Sequence, residues 1–134
     1  MNHHFDEPPD VLNTRIVTLG EVVVVELAGE LDMLTFEEPL ARVLEVLDQA
    51  PSGLAIDLRA VSFFGSSGIN LLLTVQERAG RDGIPLGVVA DQPAVLRPLA
   101  MTMVDRQLAM FTDRSDALLA LHALPAVKRF GGSR

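Results

Sequence analysis

The chain has no cysteine, no tryptophan and no tyrosine, and its aromatic share is 4%, all of it phenylalanine. Without cysteine there are no disulfides, no thiolate nucleophile and no thiolate metal site, which agrees with a cytoplasmic setting. With six Phe as the only aromatic residues and no basic stripe, the chain lacks the stacking platforms and cationic tracks of nucleic-acid binders, so no nucleic-acid partner is expected. Long apolar runs are also missing. The start, MNHHFDEPPD, has no cationic stretch followed by an apolar one, so neither a secretory signal nor membrane insertion is expected. Basic residues are scarce where they would balance the acids. Residues 1–67 hold 12 acids and 3 bases, residues 68–134 hold 6 acids and 8 bases, and the net charge is −7. Between Glu21 and Glu38 lie six acids and no base. Such a stretch reads first as a solvated acidic surface and second as a footprint for a basic protein partner.

What is present is enough for one core. At 134 residues and 49% hydrophobic content, the chain fits a single domain. Residues 1–12 read as a disordered lead, whose His3–His4 pair reads as exposed tail residues rather than metal ligands. Residues 13–123 read as the domain, and residues 124–134 as a flexible basic tail. Thr14 to Leu19 and Val22 to Ala28 flank a Gly20-Glu21 turn and predict a β-hairpin, the β-branched run Val22–Val25 being strong strand sequence. Thr35 and Glu38 have capping-box spacing before a helix with Phe36, Leu40, Val43, Leu44 and Leu47 on one face. A strand over Leu54–Leu58, a helix over Ser66–Ala79, a strand over Ile84–Ala90, a short helix capped by Asp91, a strand near Gln107–Phe111 and a last helix capped by Thr112 or Asp113 complete the order. Strands alternating with helices predict an α/β fold with a mainly parallel sheet of about five strands, an N-terminal hairpin and about four helices. The hairpin edge is the open one, and a monomer or weak homodimer is the expected state.

The stretch Asp57 to Leu73, DLRAVSFFGSSGINLLL, carries the strongest functional signal. An apolar strand bearing an acid runs into a Gly-Ser-Ser-Gly turn at which a helix opens. Gly65 and Gly68 are expected to give the backbone freedom, and Ser66 and Ser67 to occupy the cap, where a helix N-terminus favours an anion or a phosphate carried by the serine itself. The turn is not a nucleophile elbow: Ser66 has Phe64 two residues before it, and Ser67 has Ile69 two residues after it, so neither matches G-x-S-x-G. His122 reads as a surface residue near a helix C-terminus rather than a general base. No Gly-Lys-Ser/Thr phosphate loop or G-x-G-x-x-G fingerprint is present, and no cofactor or metal is expected. Asp32 and Asp57 fall at or near carboxyl ends of predicted strands, the edge where Ser66 opens its helix, so the three are expected to cluster; the alternative has both acids bonding loop amides.

These residues carry a resemblance. Gly29-Glu30-Leu31-Asp32, Asp57-Leu58 with Val61-Ser62-Phe63, and Ser66-Ser67-Gly68-Ile69 resemble the acidic loop, third strand and switch-helix start of STAS domains, the fold of bacterial anti-sigma factor antagonists. The resemblance covers about Thr14 to Leu121. It implies a non-enzymatic regulator that binds an anti-sigma factor which is also a serine kinase, frees a sigma factor, and is itself phosphorylated on the first serine of the turn, Ser66, with Ser67 second; a phosphatase reverses the modification. Glu30, Asp32, Asp57, Gly65, Ser66, Ser67, Gly68 and Ile69 are the partner-binding residues it implies. One departure is visible: the family pattern has an acid before the phosphorylated serine, and this chain has Gly65. The alternative on the same fold is a scaffold or sensor for a small ligand such as a nucleotide or lipid, and a hydrolase using Ser66 or Ser67 ranks third.

Overall fold

Val22, Val24, Val25 and Leu27 are all buried, and because a strand points alternate residues to opposite faces, both faces of this strand must be covered. The computed structural model, which describes residues 12–123, shows how. Strand β1 (Leu12–Leu19) pairs antiparallel with β2 (Val22–Leu31), and β3 (Gly53–Phe64), β4 (Leu86–Val89) and β5 (Ala109–Phe111) follow in parallel, giving one sheet in the order β1-β2-β3-β4-β5. Helices α1 (Glu37–Asp48), α2 (Ser66–Arg81) and α3 (Pro93–Met101) supply buried residues to one core with Val25, Leu27, Leu54, Ile56 and Leu58. Successive parallel strands laid down in one direction put their crossover helices on one face. Helix α4 (Arg114–Ala123) covers the other face, its Leu121 packing with Val22, Val24 and Ala55. No helix among the described residues is long and apolar enough to cross a membrane.

The α/β class, the hairpin, the five strands and the four helices are as expected. Residues 1–11 of the lead, with the His3–His4 pair, and the basic tail lie outside the described residues, while Leu12, expected in the lead, opens a strand. Several boundaries differ. β1 starts at Leu12 rather than Thr14. β3 runs six residues beyond the expected Leu58. Its far half, Arg59 to Phe64, has exposed positions and two register shifts against β2, and such bulges hide a strand from period-2 reading. Gln92 stabilises this irregular stretch by donating from Nε2 to Leu58 O (2.7 Å) and Val61 O (2.8 Å). Gln92, not Asp91, is the residue preceding α3. Asp113 does cap α4, its Oδ1 accepting the Asp116 N–H at 2.9 Å.

Helix α2 is held close to β3 by a missing side chain. A Cβ on Gly68 would stand 2.5 Å from Phe64 Cε1 and 2.7 Å from Cδ1, inside the contact limit of carbon atoms. Gly68 has no positive φ, so its requirement is space and not backbone freedom. On the other face, α4 is tied down by charge. Asp57 is 5% exposed. It accepts from Arg59 Nε (3.0 Å), Arg59 Nη2 (2.9 Å) and Arg114 Nη2 (3.2 Å), while Arg114 also pairs with Glu26. The hydrogen bond to Asp57 raises the Arg59 guanidinium above its ordinary pKa. Burying a carboxylate this deeply is costly unless cations and donors compensate it.

Two stability predictions follow from these contacts. Gly68→Ala should cost about 1–2 kcal/mol, overpacking against Phe64 outweighing the gain in helix propensity, whereas Gly80→Ala, with no atom within 4 Å of the new Cβ, should add roughly 0.5–1 kcal/mol. Opposite shifts in melting temperature for two Gly→Ala changes in one helix would verify this. Arg114→Ala should cost about 1–3 kcal/mol, and in a double-mutant cycle with Asp57→Ala the two losses should fall short of additive; additive losses by chemical denaturation would show that the ion pair does not hold α4.

Candidate functional site

The carboxyl ends of β2 and β3 meet in register, with Glu30 opposite Phe63 and Leu31 opposite Phe64. Leu31 and Phe64 are buried. The first backbone group after β3, the Gly65 N–H, donates to Leu31 O at 3.2 Å. The loop after β2 and the turn before α2 are therefore locked side by side at one sheet edge.

The loop after β2 is closed by its own polar groups. Asp32 Oδ1 accepts the Leu34 N–H at 2.9 Å, and Asp32 O accepts Thr35 N (3.2 Å) and Phe36 N (3.1 Å). Thr35 Oγ1 accepts the Asp32 N–H at 2.9 Å and donates to Glu30 O at 2.7 Å. The predicted capping box is therefore not made. Phe36 precedes the helix, no side chain caps it, and the Thr35 hydroxyl ties the loop to the strand end instead.

Ser66 and Ser67 are also one step inside their expected position. Gly65 is the cap, at φ −98° and ψ −163°, and the serines are the first and second residues of α2. That φ is open to any residue, so Gly65 is not needed for backbone freedom. Its lack of a side chain makes room for Phe63, whose Cε2 lies 3.2 Å from the place a Cβ would take. Gly65 O accepts the N–H groups of Gly68 (3.0 Å) and Ile69 (3.2 Å). The N–H groups of Ser66 and Ser67 lie in the first turn, where a helix offers no internal acceptor. Together with the dipole of a 16-residue helix that has no acid in its first turn, they form a positive field for an anion. Ser66 is exposed, Ser67 is half-buried, and Ile69 packs against the core. Geometry thus favours the Ser66 hydroxyl over that of Ser67 for reaction with another protein.

Glu30, Asp32, Gly65, Ser66, Ser67, Gly68 and Ile69 share this edge; Asp57 does not. Phe64 lies seven positions further along β3, roughly 20 Å of strand, and the Asp57 carboxylate is engaged by Arg59 and Arg114. The expected cluster of Asp32, Asp57 and Ser66 is corrected on this point: β3 does not end near Asp57. A cleft of about 420 Å³ beside Asp57 is lined by Glu26, Arg59, Asp91 and Arg114; both of its guanidinium groups are engaged by Asp57 and Glu26, and Asp91 lies outside these ion pairs. His122 is exposed on the last turn of α4, its ring Nδ1 2.9 Å from Leu118 O. Its Nε2 lies 3.6 Å from where a Cβ on Gly20 would be, which puts it at the opening ends of the parallel strands, far from Ser66. No group of three or more acidic or histidine side chains among the described residues could hold a metal.

Sequence reading missed Thr35, Phe63, Met33 and Leu34 as parts of this edge. The available signal was an adjacent apolar pair, Met33-Leu34, inside a turn, where polar residues are usual.

Residues 13–117 match the family model described as STAS domain. The anti-sigma-F factor antagonist RsfB of Mycobacterium tuberculosis is 32% identical over 110 residues, covering 82% of this chain and 89% of that protein. The crystal structure of an anti-sigma factor antagonist from Mycobacterium paratuberculosis superposes with a TM-score of 0.81 at 35% identity, covering 86% of this chain and 97% of that one. The phosphorylated form of the Bacillus cell fate determinant SpoIIAA superposes with a TM-score of 0.64 at 19% identity, over 81% of this chain and 99% of that one, a likeness of fold. The chain belongs to the STAS domain family, and its relatives of 32% and 35% identity are named as anti-sigma factor antagonists.

Proposed function

We propose that this protein is a cytoplasmic anti-sigma factor antagonist. It binds an anti-sigma factor that is also a serine kinase, so releasing a sigma factor, and phosphorylation of Ser66 turns it off. The observation that carries the reading is the exposed Ser66 hydroxyl on the first residue of α2, beside the acidic loop after β2. A binding protein fits the chemistry better than an enzyme: among the described residues the one histidine, His122, lies far from the serine, and Asp57 is used in holding α4.

The switch follows from charge. A phosphate adds between one and two negative charges. At Ser66 the helix N-terminus stabilises it locally, so the phosphoprotein stays folded. The same charge stands at an edge that already carries Glu30 and Asp32, with exposed Glu37 and Glu38 opening α1. A partner surface that accepts those acids then meets an added charge and its hydration shell. A phosphatase restores the binding form. Gly65 leaves no acid directly before the serine, so kinase recognition draws on the neighbouring loop.

With the cognate kinase and ATP, the wild type should gain one phosphate by intact mass, Ser67→Ala should still gain it, and Ser66→Ala should bind the kinase and gain none. Ser66→Asp should bind at least about tenfold more weakly, a loss of roughly 1.4 kcal/mol. Binding of Ser66→Asp and Ser66→Ala at wild-type strength would remove the switch, and phosphate on Ser66→Ala would move it.

A further inference from the structure

Seven large apolar side chains are exposed among the described residues, and three of them lie on the two segments that flank Ser66: Met33 (74%), Leu34 (81%) and Phe63 (50%). Scattered apolar exposure is ordinary on a soluble protein; concentration at one functional edge is what marks a contact surface. Their exposure is also imposed by structure. Met33 and Leu34 are held outward because Asp32 and Thr35 on either side of them spend their polar groups on closing the loop. Phe63 is the cross-strand partner of Glu30, so its ring leaves the sheet away from buried Phe64 and lies over side-chain-free Gly65. Acids flank the Met33-Leu34 pair along the chain, Glu30 and Asp32 before it and Glu37 and Glu38 after it, with no base between Glu21 and Arg42.

We infer that Met33, Leu34 and Phe63 form the apolar centre of the partner contact, framed by these acids, and that the partner presents an apolar pocket rimmed by basic side chains. The inference rests on the antagonist reading and adds what the partner recognises. Interfaces of this kind place their energy in a few large, fully desolvated side chains and leave the charged rim to steer association. The arrangement also makes Ser66 an effective switch. Its hydroxyl is small and tolerable beside an apolar contact. A phosphate there would have to shed its water into the same contact, a cost beyond repulsion by the acids.

The test is titration of the full chain against its cognate anti-sigma kinase by calorimetry, with thermal melting of each variant as the control for folding. Phe63→Ala and Leu34→Ser should each weaken binding tenfold or more, with little dependence on salt. Leu119→Ser, which removes a 70% exposed leucine from α4, should bind as wild type. Glu38→Gln should slow association at low salt and lose its effect at high salt. If the wild type binds while Phe63→Ala and Leu34→Ser match it within twofold, the apolar centre is wrong and the antagonist reading stands. If the wild type binds no anti-sigma kinase, that reading falls and this inference with it.

Discussion

The structure depends on one register: Leu31 opposite Phe64 at the ends of β2 and β3, sealed by the Gly65 N–H on Leu31 O. Upstream, β3 carries two bulges against β2, and without a fixed end point the strand could slip and turn every side chain to the other face. With it, Phe64 is buried and Phe63 is exposed. Phe64 then requires Gly68 to be a glycine, which sets the first turn of α2 directly against the sheet. Ser66 is presented at the surface because its helix is anchored two residues later.

The two sheet faces have separate duties. The face under α1, α2 and α3 carries the main apolar core, with Leu54, Ile56, Leu58, Leu71, Leu72 and Val75 almost wholly buried. The face under α4 has a small apolar cluster and the network of Glu26, Asp57, Arg59 and Arg114. That network lies well back along the strands from Ser66. Under the proposed switch, structural charge and switching charge are thus kept apart, and a phosphate at Ser66 would leave the pairs that hold α4 undisturbed.

Where a residue's role depends on near neighbours, it was legible in the sequence. Val22–Val25 read as strand, the Gly20 turn as a hairpin, and the glycine-serine turn as a helix start, because each rests on local conformational preference. Roles set by distant chain were not legible. Asp57 reads as a candidate for the site because its holder, Arg114, is 57 residues away. Thr35 reads as a helix cap because its acceptor, Glu30 O, lies behind it on the strand rather than ahead on the helix. Gly65 reads as a flexible joint, yet its φ is ordinary, and what needs the glycine is the ring of Phe63. The resemblance to STAS domains drew on just those short stretches that local chemistry makes recognisable. It therefore found the edge that bears Ser66, while misplacing Asp57 within it.

The proposed switch requires that a phosphate on Ser66 changes binding and leaves the fold intact. The most direct measurement compares wild-type protein prepared with and without that phosphate, titrated against the same anti-sigma kinase, with circular dichroism recorded on both forms. Identical spectra and an affinity at least about tenfold lower for the phosphorylated form are expected. Equal affinities, or a phosphorylated form that has lost its native spectrum, would contradict it.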